Sequence, residues 1–195
     1  MISNTTIVVG ASRDIGLGLA KFLAQSPQDR VIATMRKPVV LSEPNIQVIQ
    51  LDQTNAVSVE KAAEAIKEAD NLIVNAAMGE DERLTEISTK RIIFISSTTP
   101  SLTKQVDSEW GLRGPDATSK AAGNMLAVQF HNELRDRGFT VVSIHPGWVA
   151  TDMGNLAGPG AMPATELVQK IMKIVKGLST VDGAKFFNID GTILP

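Results

Sequence analysis

The chain has 195 residues, of which 43% are apolar and 21% are charged, and its formal net charge is −2. This length is enough to bury a sizeable core, so we expect one globular domain over residues 1–195. The small net charge gives no reason to expect nucleic acid as a partner. The absence of cysteine excludes disulfides and thiol catalysis, and two distant histidines, His131 and His145, argue against a metal site.

The sequence carries no sign of membrane insertion or secretion. No apolar run approaches the roughly 20 residues that a bilayer-spanning helix needs. The first six residues lead directly into a strand pattern, without a basic and apolar leader. We therefore expect a cytoplasmic protein without a membrane partner.

Strand and helix patterns alternate along the chain. Short apolar runs predict strands at residues 6–10, 30–34, 46–51, 71–76, 91–96, 139–145 and 184–189. Apolar residues at helical spacing predict helices at 16–25, 57–69, 117–137 and 163–176. Strands that are apolar on both faces are typical of a parallel sheet with helices on both sides. The sequence thus predicts an α/β fold, a Rossmann-type doubly wound parallel sheet in three layers, with right-handed crossovers.

Three features mark the breaks between these elements. Gly138 is placed to end the long helix in the left-handed conformation that suits glycine. Residues 78–90 are rich in Glu and Asp and predict a short helix or a loop. Residues 154–163, dominated by Gly, Pro and Ala, predict a loop that can close over a site, together with Trp148 and Met153.

A glycine-rich turn follows the first strand, with the sequence Gly10-Ala11-Ser12-Arg13-Asp14-Ile15-Gly16-Leu17-Gly18. Glycines let the backbone turn tightly and let a pyrophosphate approach the next helix, whose free N–H groups and dipole favour anions. The turn indicates a dinucleotide site. A simple bend between strand and helix is the alternative.

Further motifs follow this turn over nearly the whole chain. They are Asp52 after the third strand, Asn75 after the fourth, Ser96-Ser97 after the fifth, Ser119-Lys120-Ala121-Ala122 on the long helix, Pro146-Gly147-Trp148-Val149-Ala150-Thr151-Asp152-Met153, and Phe186-Phe187-Asn188-Ile189-Asp190-Gly191. Together with the turn, this set resembles the short-chain dehydrogenase/reductase family, in particular its C-factor-like branch of small carbonyl reductases.

The resemblance implies a cofactor, NADP(H), and a set of residues that would contact it. The phosphates would be lined by Gly10, Ser12, Arg13, Ile15 and Gly16. The adenine would face Asp52, and the adjoining ribose would face Asn75. The nicotinamide would be bordered by Pro146, Val149 and Thr151. Arg36 follows the second strand, where a basic residue would pair with a 2′-phosphate and favour NADP over NAD. The alternative for Arg13 and Arg36 is a pair of solvated surface side chains.

The middle glycine of the family's turn is replaced by Asp14. A carboxylate adds bulk and places a negative charge next to the expected phosphates, and two such charges repel by roughly 1 to 4 kcal/mol near a protein surface. Arg13 beside it would offset part of this cost. Asp14 could otherwise serve as a helix N-cap, and a protein that binds no cofactor is then an open alternative.

The family's catalytic tyrosine is also missing. In the family, tyrosine and lysine stand four residues apart, so that the lysine lowers the pKa of the phenol. Here Lys120 is present but position 116 is Asp, and the chain contains no tyrosine. At neutral pH an aspartate has no proton to give. Asp116 could act as a base, or it could only cap the helix and form an ion pair with Lys120.

The segment between the fourth and fifth strands is short. About twenty residues separate Asn75 from Ser96, where the family inserts a complete helix. By analogy, the missing or shortened helix would carry a catalytic asparagine and half of a common dimer interface. No residue here inherits that asparagine's role, and the oligomeric state stays open.

Three functions fit these observations. The first is non-redox acid–base chemistry, such as a cyclisation, isomerisation, dehydration or aldol-type step of secondary metabolism, on a small, largely apolar carbonyl compound. Asp116 would be its base, Lys120 would tune that base, and Ser97 would donate to a carbonyl oxygen. The second is reduction of a ketone or aldehyde with NADPH, with water or Ser97 as the proton source. The third is a non-catalytic binding or regulatory protein.

Overall fold

The computed structural model describes residues 4–66, 69–75, 87–106, 114–151 and 160–194. Its strands are β1 (Asn4–Val9), β2 (Asp29–Met35), β3 (Ile46–Gln50), β4 (Ala69–Val74), β5 (Ile87–Ile95), β6 (Thr140–His145) and β7 (Phe186–Asn188). Its helices are α1 (Asp14–Leu23), α2 (Ala56–Ala65), α3 (Leu102–Gln105), α4 (Gly114–Leu134) and α5 (Ala164–Gly177). The strands form a parallel sheet in the order β3-β2-β1-β4-β5-β6-β7.

Helices cover both faces of this sheet, which confirms the predicted three-layer, Rossmann-type α/β fold. α1 and α5 share a core with one face, and α2 and α4 share a core with the other. Ile93 belongs to the first core and Ile92 to the second, because successive side chains of a strand point to opposite sides. Both are fully buried, and burial of each contributes about 1.5 to 3 kcal/mol.

One crossover departs from the predicted right-handed connections. α1 links β1 to its neighbour on one side, whereas α5 links β6 to its neighbour on the opposite side. Since α1 and α5 lie on the same face of the sheet, these two crossovers have opposite hands. The crossovers through α2 and α4 share the hand of the α1 crossover, which is the common right-handed form. The β6–α5–β7 connection is therefore left-handed, because α5 buries its apolar side against α1.

The connection between β4 and β5 consists of residues 75–86, of which 76–86 lie outside the described residues. Most of the segment 78–90, predicted as a short helix or loop, falls there. Its last four residues are neither, because β5 begins at Ile87. Lys90 has a φ of 57°, and the pairing of β4 with β5 shifts register between Ala69 and Asn71. The pairing of β4 with β5 is therefore irregular at the start of β5.

The helix boundaries bear on two further predictions. α2 ends at Ala65 and Ala69 is already in β4, so the helix predicted over 57–69 is too long. α4 passes into a 3-10 turn and stops at Gly138, whose φ of 81° confirms the predicted glycine stop. Within the described ranges, no helix is long and apolar enough to cross a membrane.

The strand order places the chain's motifs at one edge of the sheet. Connections from β1 run toward β2 and β3, and connections from β4 run the other way, so β1 and β4 form a switch point. Ligands of open parallel sheets bind in the crevice outside the carboxyl ends of the strands at such a point. Gly10 and Asn75 follow these two strands, and Ser97 and His145 lie at the ends of β5 and β6.

Candidate active site

The glycine turn is held close to the sheet. The N–H of Ala11 donates to the main-chain oxygen of Thr34 on β2, at 2.9 Å. Gly10 has a φ of 79°, a conformation that suits glycine. A Cβ at Gly16 would lie 2.2 Å from the Gly10 oxygen. Both glycines are therefore required by the turn itself, because any side chain at Gly16 would push α1 away from β1.

Asp14 is the first residue of α1 and does not cap it. The N-cap residue is Arg13, whose side chain makes no capping hydrogen bond, so the N-cap interpretation of Asp14 is wrong. Asp14 has a φ of 50°, the left-handed conformation for which the family's glycine is suited, and aspartate tolerates it better than most residues. The Arg13 Nε lies 3.7 Å from the Asp14 carboxylate. This ion pair offsets the charge that Asp14 brings to the turn.

Asn75 braces the turn from β4. Its main-chain N–H donates to the Val9 oxygen at 3.2 Å, and its side-chain amide donates to the Gly10 oxygen at 3.1 Å. The predicted contact of Asn75 with a ribose stays a prediction. The structure gives this side chain a further role, since it fixes the carbonyl against which Gly16 packs.

The residues expected at the adenosine end lie on the surface beyond β2 and β3. Arg36 is exposed directly after β2. Asp52 accepts hydrogen bonds from the N–H and the hydroxyl of Thr54, at 3.1 and 2.7 Å. These bonds, with a smaller effect of the Arg36 charge, lower the pKa of the Asp52 carboxyl. Arg36 and Asp52 are thus close enough to interact electrostatically, and their predicted contacts with a nucleotide stay predictions.

Ser97 and Asp116 are joined through one residue, Thr99. The Thr99 N–H donates to the Ser97 Oγ at 3.1 Å, and the Thr99 hydroxyl donates to Asp116 Oδ2 at 3.1 Å. All three side chains are half-buried. The structure therefore brings the predicted Ser97 and Asp116 together at the sheet edge, where β5 ends and α4 begins.

Lys120 lies deeper in the same region. Its Nζ donates to the main-chain oxygen of Ile95 at 3.0 Å. Burial lowers the pKa of the Lys120 ammonium below its usual 10.5, while the nearby Asp116 charge acts in the opposite direction. Lys120 is thus a stronger acid than an exposed lysine.

Asp116 does not pair with Lys120. In the described part of the chain, no oxygen of Asp116 comes within 4.0 Å of the Lys120 Nζ, and Asp116 lies in the first turn of α4 without capping it. The interpretation as a cap with an (i, i+4) ion pair is therefore wrong. The reason is that Thr99 and Ile95 supply other partners for the two side chains.

The loop after β6 is tied down by a short bridge. Val149 pairs with Met162, and Met162 exchanges main-chain hydrogen bonds with Trp148 and Ala150, both at 2.9 Å. Pro146 and Val149 are buried, Val149 within the α1–α5 core, and Thr151 is half-buried. Trp148 is 43% exposed. Met153 and most of the predicted closing loop lie outside the described residues.

Sequence reasoning missed a group of buried polar atoms beside Lys120. Ser96 Oγ, Asn124 Oδ1 and His145 Nδ1 are buried without a hydrogen-bond partner among the described residues. Asn124 follows Lys120 by one helical turn, and Ser96 pairs through its N–H with Ile144, next to His145. Burial, and to a lesser extent the Lys104 charge, lower the pKa of His145. Thr99 was missed as well, since its link to Asp116 is a long-range contact.

Comparison with known proteins places the chain among oxidoreductases, although no protein-family model matches it. An uncharacterized oxidoreductase of Schizosaccharomyces pombe is 31% identical, over 97% of this chain and 96% of that protein. That alignment runs over 247 positions and this chain has 195 residues, so at least 52 of the positions are gaps in this chain. The C-signal protein of Myxococcus xanthus is 36% identical over 107 residues, which are 54% of this chain and 61% of that protein.

The fold of the chain is also similar to that of a known carbonyl reductase. The crystal structure of NADPH-bound carbonyl reductase from chicken fatty liver has a TM-score of 0.83 and 25% identity, and the match covers 98% of this chain and 93% of that one. The chain belongs to the short-chain dehydrogenase/reductase family.

Proposed function

We propose that the protein is an NADP(H)-dependent oxidoreductase that reduces the carbonyl group of a small molecule. The observation that carries this proposal is the position of Lys120. Its half-buried side chain bonds through the ammonium to Ile95, two residues before Ser97, at the sheet edge that also bears the glycine turn. A hydroxyl donor and an acidic ammonium beside a dinucleotide crevice are the groups that carbonyl reduction needs.

The turn fits a dinucleotide. The N-cap residue of α1, Arg13, makes no side-chain capping bond, and the N-terminus of a helix favours a phosphate. Gly10 and Gly16 keep the backbone bare at this point, and the Arg13–Asp14 ion pair reduces the repulsion from Asp14. Arg36 would hold a 2′-phosphate, and Pro146, Val149 and Thr151 would border the nicotinamide.

The chemistry follows from these groups. NADPH, when bound, would supply the hydride for a new C–H bond at the carbonyl carbon, while the C=O π electrons would move to the oxygen and NADP⁺ would remain. The Ser97 hydroxyl donates a hydrogen bond to that oxygen, and Lys120 transfers its proton to it, so that the product is an alcohol. The neutral amine of Lys120 then regains a proton from water.

Titration calorimetry with NADPH and with NADH tests the cofactor. We expect NADPH to bind more tightly than NADH, and Arg36→Ala to remove most of that difference. Lys37→Ala is the matched control, because Lys37 is the next residue and is equally exposed. If NADPH at millimolar concentration does not bind, or if Arg36→Ala and Lys37→Ala behave alike, the NADP(H) assignment is wrong.

Turnover of a panel of ketones and aldehydes, followed at the absorbance of NADPH, tests the reaction. We expect oxidation of NADPH that depends on the carbonyl compound and yields the alcohol. Product formation without any change in nicotinamide absorbance would instead support the second candidate, the non-redox reaction. The observation in favour of that candidate is Asp116, whose carboxylate stands where the family has a phenol and can accept a proton.

A further inference from the structure

We propose that Thr99 is a positioning residue, which keeps the Asp116 carboxylate apart from Lys120 so that the Lys120 ammonium remains an effective acid. This inference rests on the proposed function, since it assigns Lys120 as the proton donor. It assigns to Thr99 an effect on Lys120 that acts through the position of Asp116.

The first step is that Asp116 and Lys120 are spaced to attract each other. Residues four apart on a helix lie on the same side, and opposite charges at this spacing commonly pair. In this chain, Asp116 Oδ2 instead accepts from the Thr99 hydroxyl and Lys120 donates to Ile95. In the described part of the chain, the Thr99 hydroxyl is the only side-chain hydrogen-bond partner of the Asp116 carboxylate.

The second step is that Thr99 is itself anchored. Its main-chain N–H donates to the Ser97 Oγ at 3.1 Å, a local bond between a side chain and the backbone two residues on. This bond fixes the position from which the Thr99 hydroxyl reaches Asp116. It also occupies an acceptor site of Ser97 and leaves the hydroxyl proton of Ser97 for a substrate oxygen. Thr99 therefore contacts both the Ser97 and the Asp116 side chains and helps to fix their positions.

The third step concerns the charge on Lys120. Among the described residues, the titratable groups on β5, α3, α4 and β6 are, besides Lys120, Lys90, Arg91, Lys104, Asp116, His131, Glu133 and His145. Of these, Asp116 is the one that acts on the pKa of Lys120, and it raises that pKa against the effect of burial. A carboxylate released from Thr99 could move into ion-pair contact and strengthen this effect. The ammonium would then give up its proton less readily.

Three variants test whether the effect depends on the hydroxyl of Thr99 or on the rest of the residue. Thr99→Val removes the hydroxyl but keeps the shape and the N–H that binds Ser97. Thr99→Ser keeps the hydroxyl and should behave like the natural protein. Thr98→Val is the matched control, because Thr98 is the adjacent half-buried threonine and its hydroxyl makes no hydrogen bond among the described residues.

The measurement is the titration of Lys120, followed by NMR through its ¹³Cε in lysine-labelled protein without cofactor or substrate, with the signal assigned by Lys120→Arg. We expect Thr99→Val to raise the pKa of Lys120, and Thr98→Val and Thr99→Ser to leave it unchanged. In the double variant Thr99→Val/Asp116→Asn, the pKa should equal that of Asp116→Asn alone. Thr99→Ala repeats the test if circular dichroism shows that Thr99→Val is unfolded.

Two results would overturn the proposal. One is an unchanged titration of Lys120 in Thr99→Val or Thr99→Ala. The other is a rise that persists in the double variant, since the effect would then not pass through Asp116. The titration needs no turnover, so it is independent of the proposed function. A shifted titration in a protein that reduces no carbonyl compound would uphold the positioning by Thr99 and reject the reductase assignment.

Discussion

The Lys120 Nζ lies 3.0 Å from the main-chain oxygen of Ile95, and this hydrogen bond ties the first turns of α4 to the end of β5. The ammonium is thereby held at Ile95, two residues before Ser97, and apart from the Asp116 carboxylate. A lysine in this position is half-buried, charged and bonded to a neutral acceptor. These conditions favour loss of its proton, and the first two predictions depend on them.

Restoring the missing phenol should increase carbonyl reduction. In Asp116→Tyr, a hydroxyl replaces the carboxylate four residues before Lys120, and the developing alkoxide meets a proton donor instead of a negative charge. Because a positioned general acid contributes about 10²- to 10⁴-fold, we expect kcat to rise by about 10²-fold. The measurement is NADPH oxidation with an aromatic ketone. Asp116→Phe is the control of matched size, and an equal gain in that variant would contradict the prediction.

The pH dependence of turnover should report the acid form of Lys120. Activity requires the protonated ammonium, so kcat should fall as the pH rises through the pKa of Lys120. Burial lowers that pKa, so the fall should begin below pH 10.5. In Lys120→Arg, the guanidinium stays charged over this range and releases no proton. We expect a kcat lower by about 10² or more and no alkaline fall. The same alkaline limb in Lys120→Arg would assign it to another group.

Gly16→Ala should destabilise the protein and weaken NADPH binding together. The added Cβ would meet the Gly10 oxygen at 2.2 Å and the Asn75 amide at 2.8 Å, so the turn has to open. We expect a loss of about 1 to 3 kcal/mol in the free energy of unfolding, measured by urea denaturation. The control is Gly123→Ala, where a Cβ meets nothing within 4 Å in the middle of α4. That change should stabilise by about 0.5 to 1 kcal/mol. Equal effects at both glycines would refute the role of Gly16.

The charge of Lys104 should be visible in the titration of His145. Burial is the main cause of the lowered pKa of His145, and Lys104 adds to it. Lys104→Ala should therefore raise the pKa of His145 toward 6.5, and Lys104→Arg, which keeps the charge, should leave it unchanged. The imidazole resonances of the protein's two histidines can be followed by NMR and assigned by substitution. A shift of the same size in both variants would rule out an effect of charge.

The same group links stability to pH. The folded protein disfavours the charged imidazole of His145. Below pH 6.5, this histidine therefore binds more protons in the unfolded chain than in the folded protein. The free energy of unfolding should be highest above pH 6.5 with respect to this group and should decrease as the pH falls below 6.5. His145→Gln should flatten this part of the curve in urea denaturation followed between pH 5 and 8. An unchanged slope would show that His145 does not contribute.

Local pattern in the chain was sufficient for the architecture and for a list of candidate site residues. Apolar runs and glycine stops depend on residues close in sequence, and they predicted the strands, the α4 stop at Gly138 and the turn from Gly10 to Gly18. The motifs likewise identified Ser97 and Lys120, and they revealed the aspartate at position 116 in a chain without tyrosine.

Other features depend on residues that are far apart in sequence and meet only in the folded chain. The Asn75 amide reaches the Gly10 oxygen across 65 residues, and the Thr99 hydroxyl reaches Asp116 across 17. The left hand of the β6–α5–β7 crossover also arises from packing of α5 on α1. Periodicity and spacing do not encode such contacts, because they result from how whole elements pack. For this reason the pairing of Asp116 with Lys120, which helical spacing favours, gives way to the bond with Thr99.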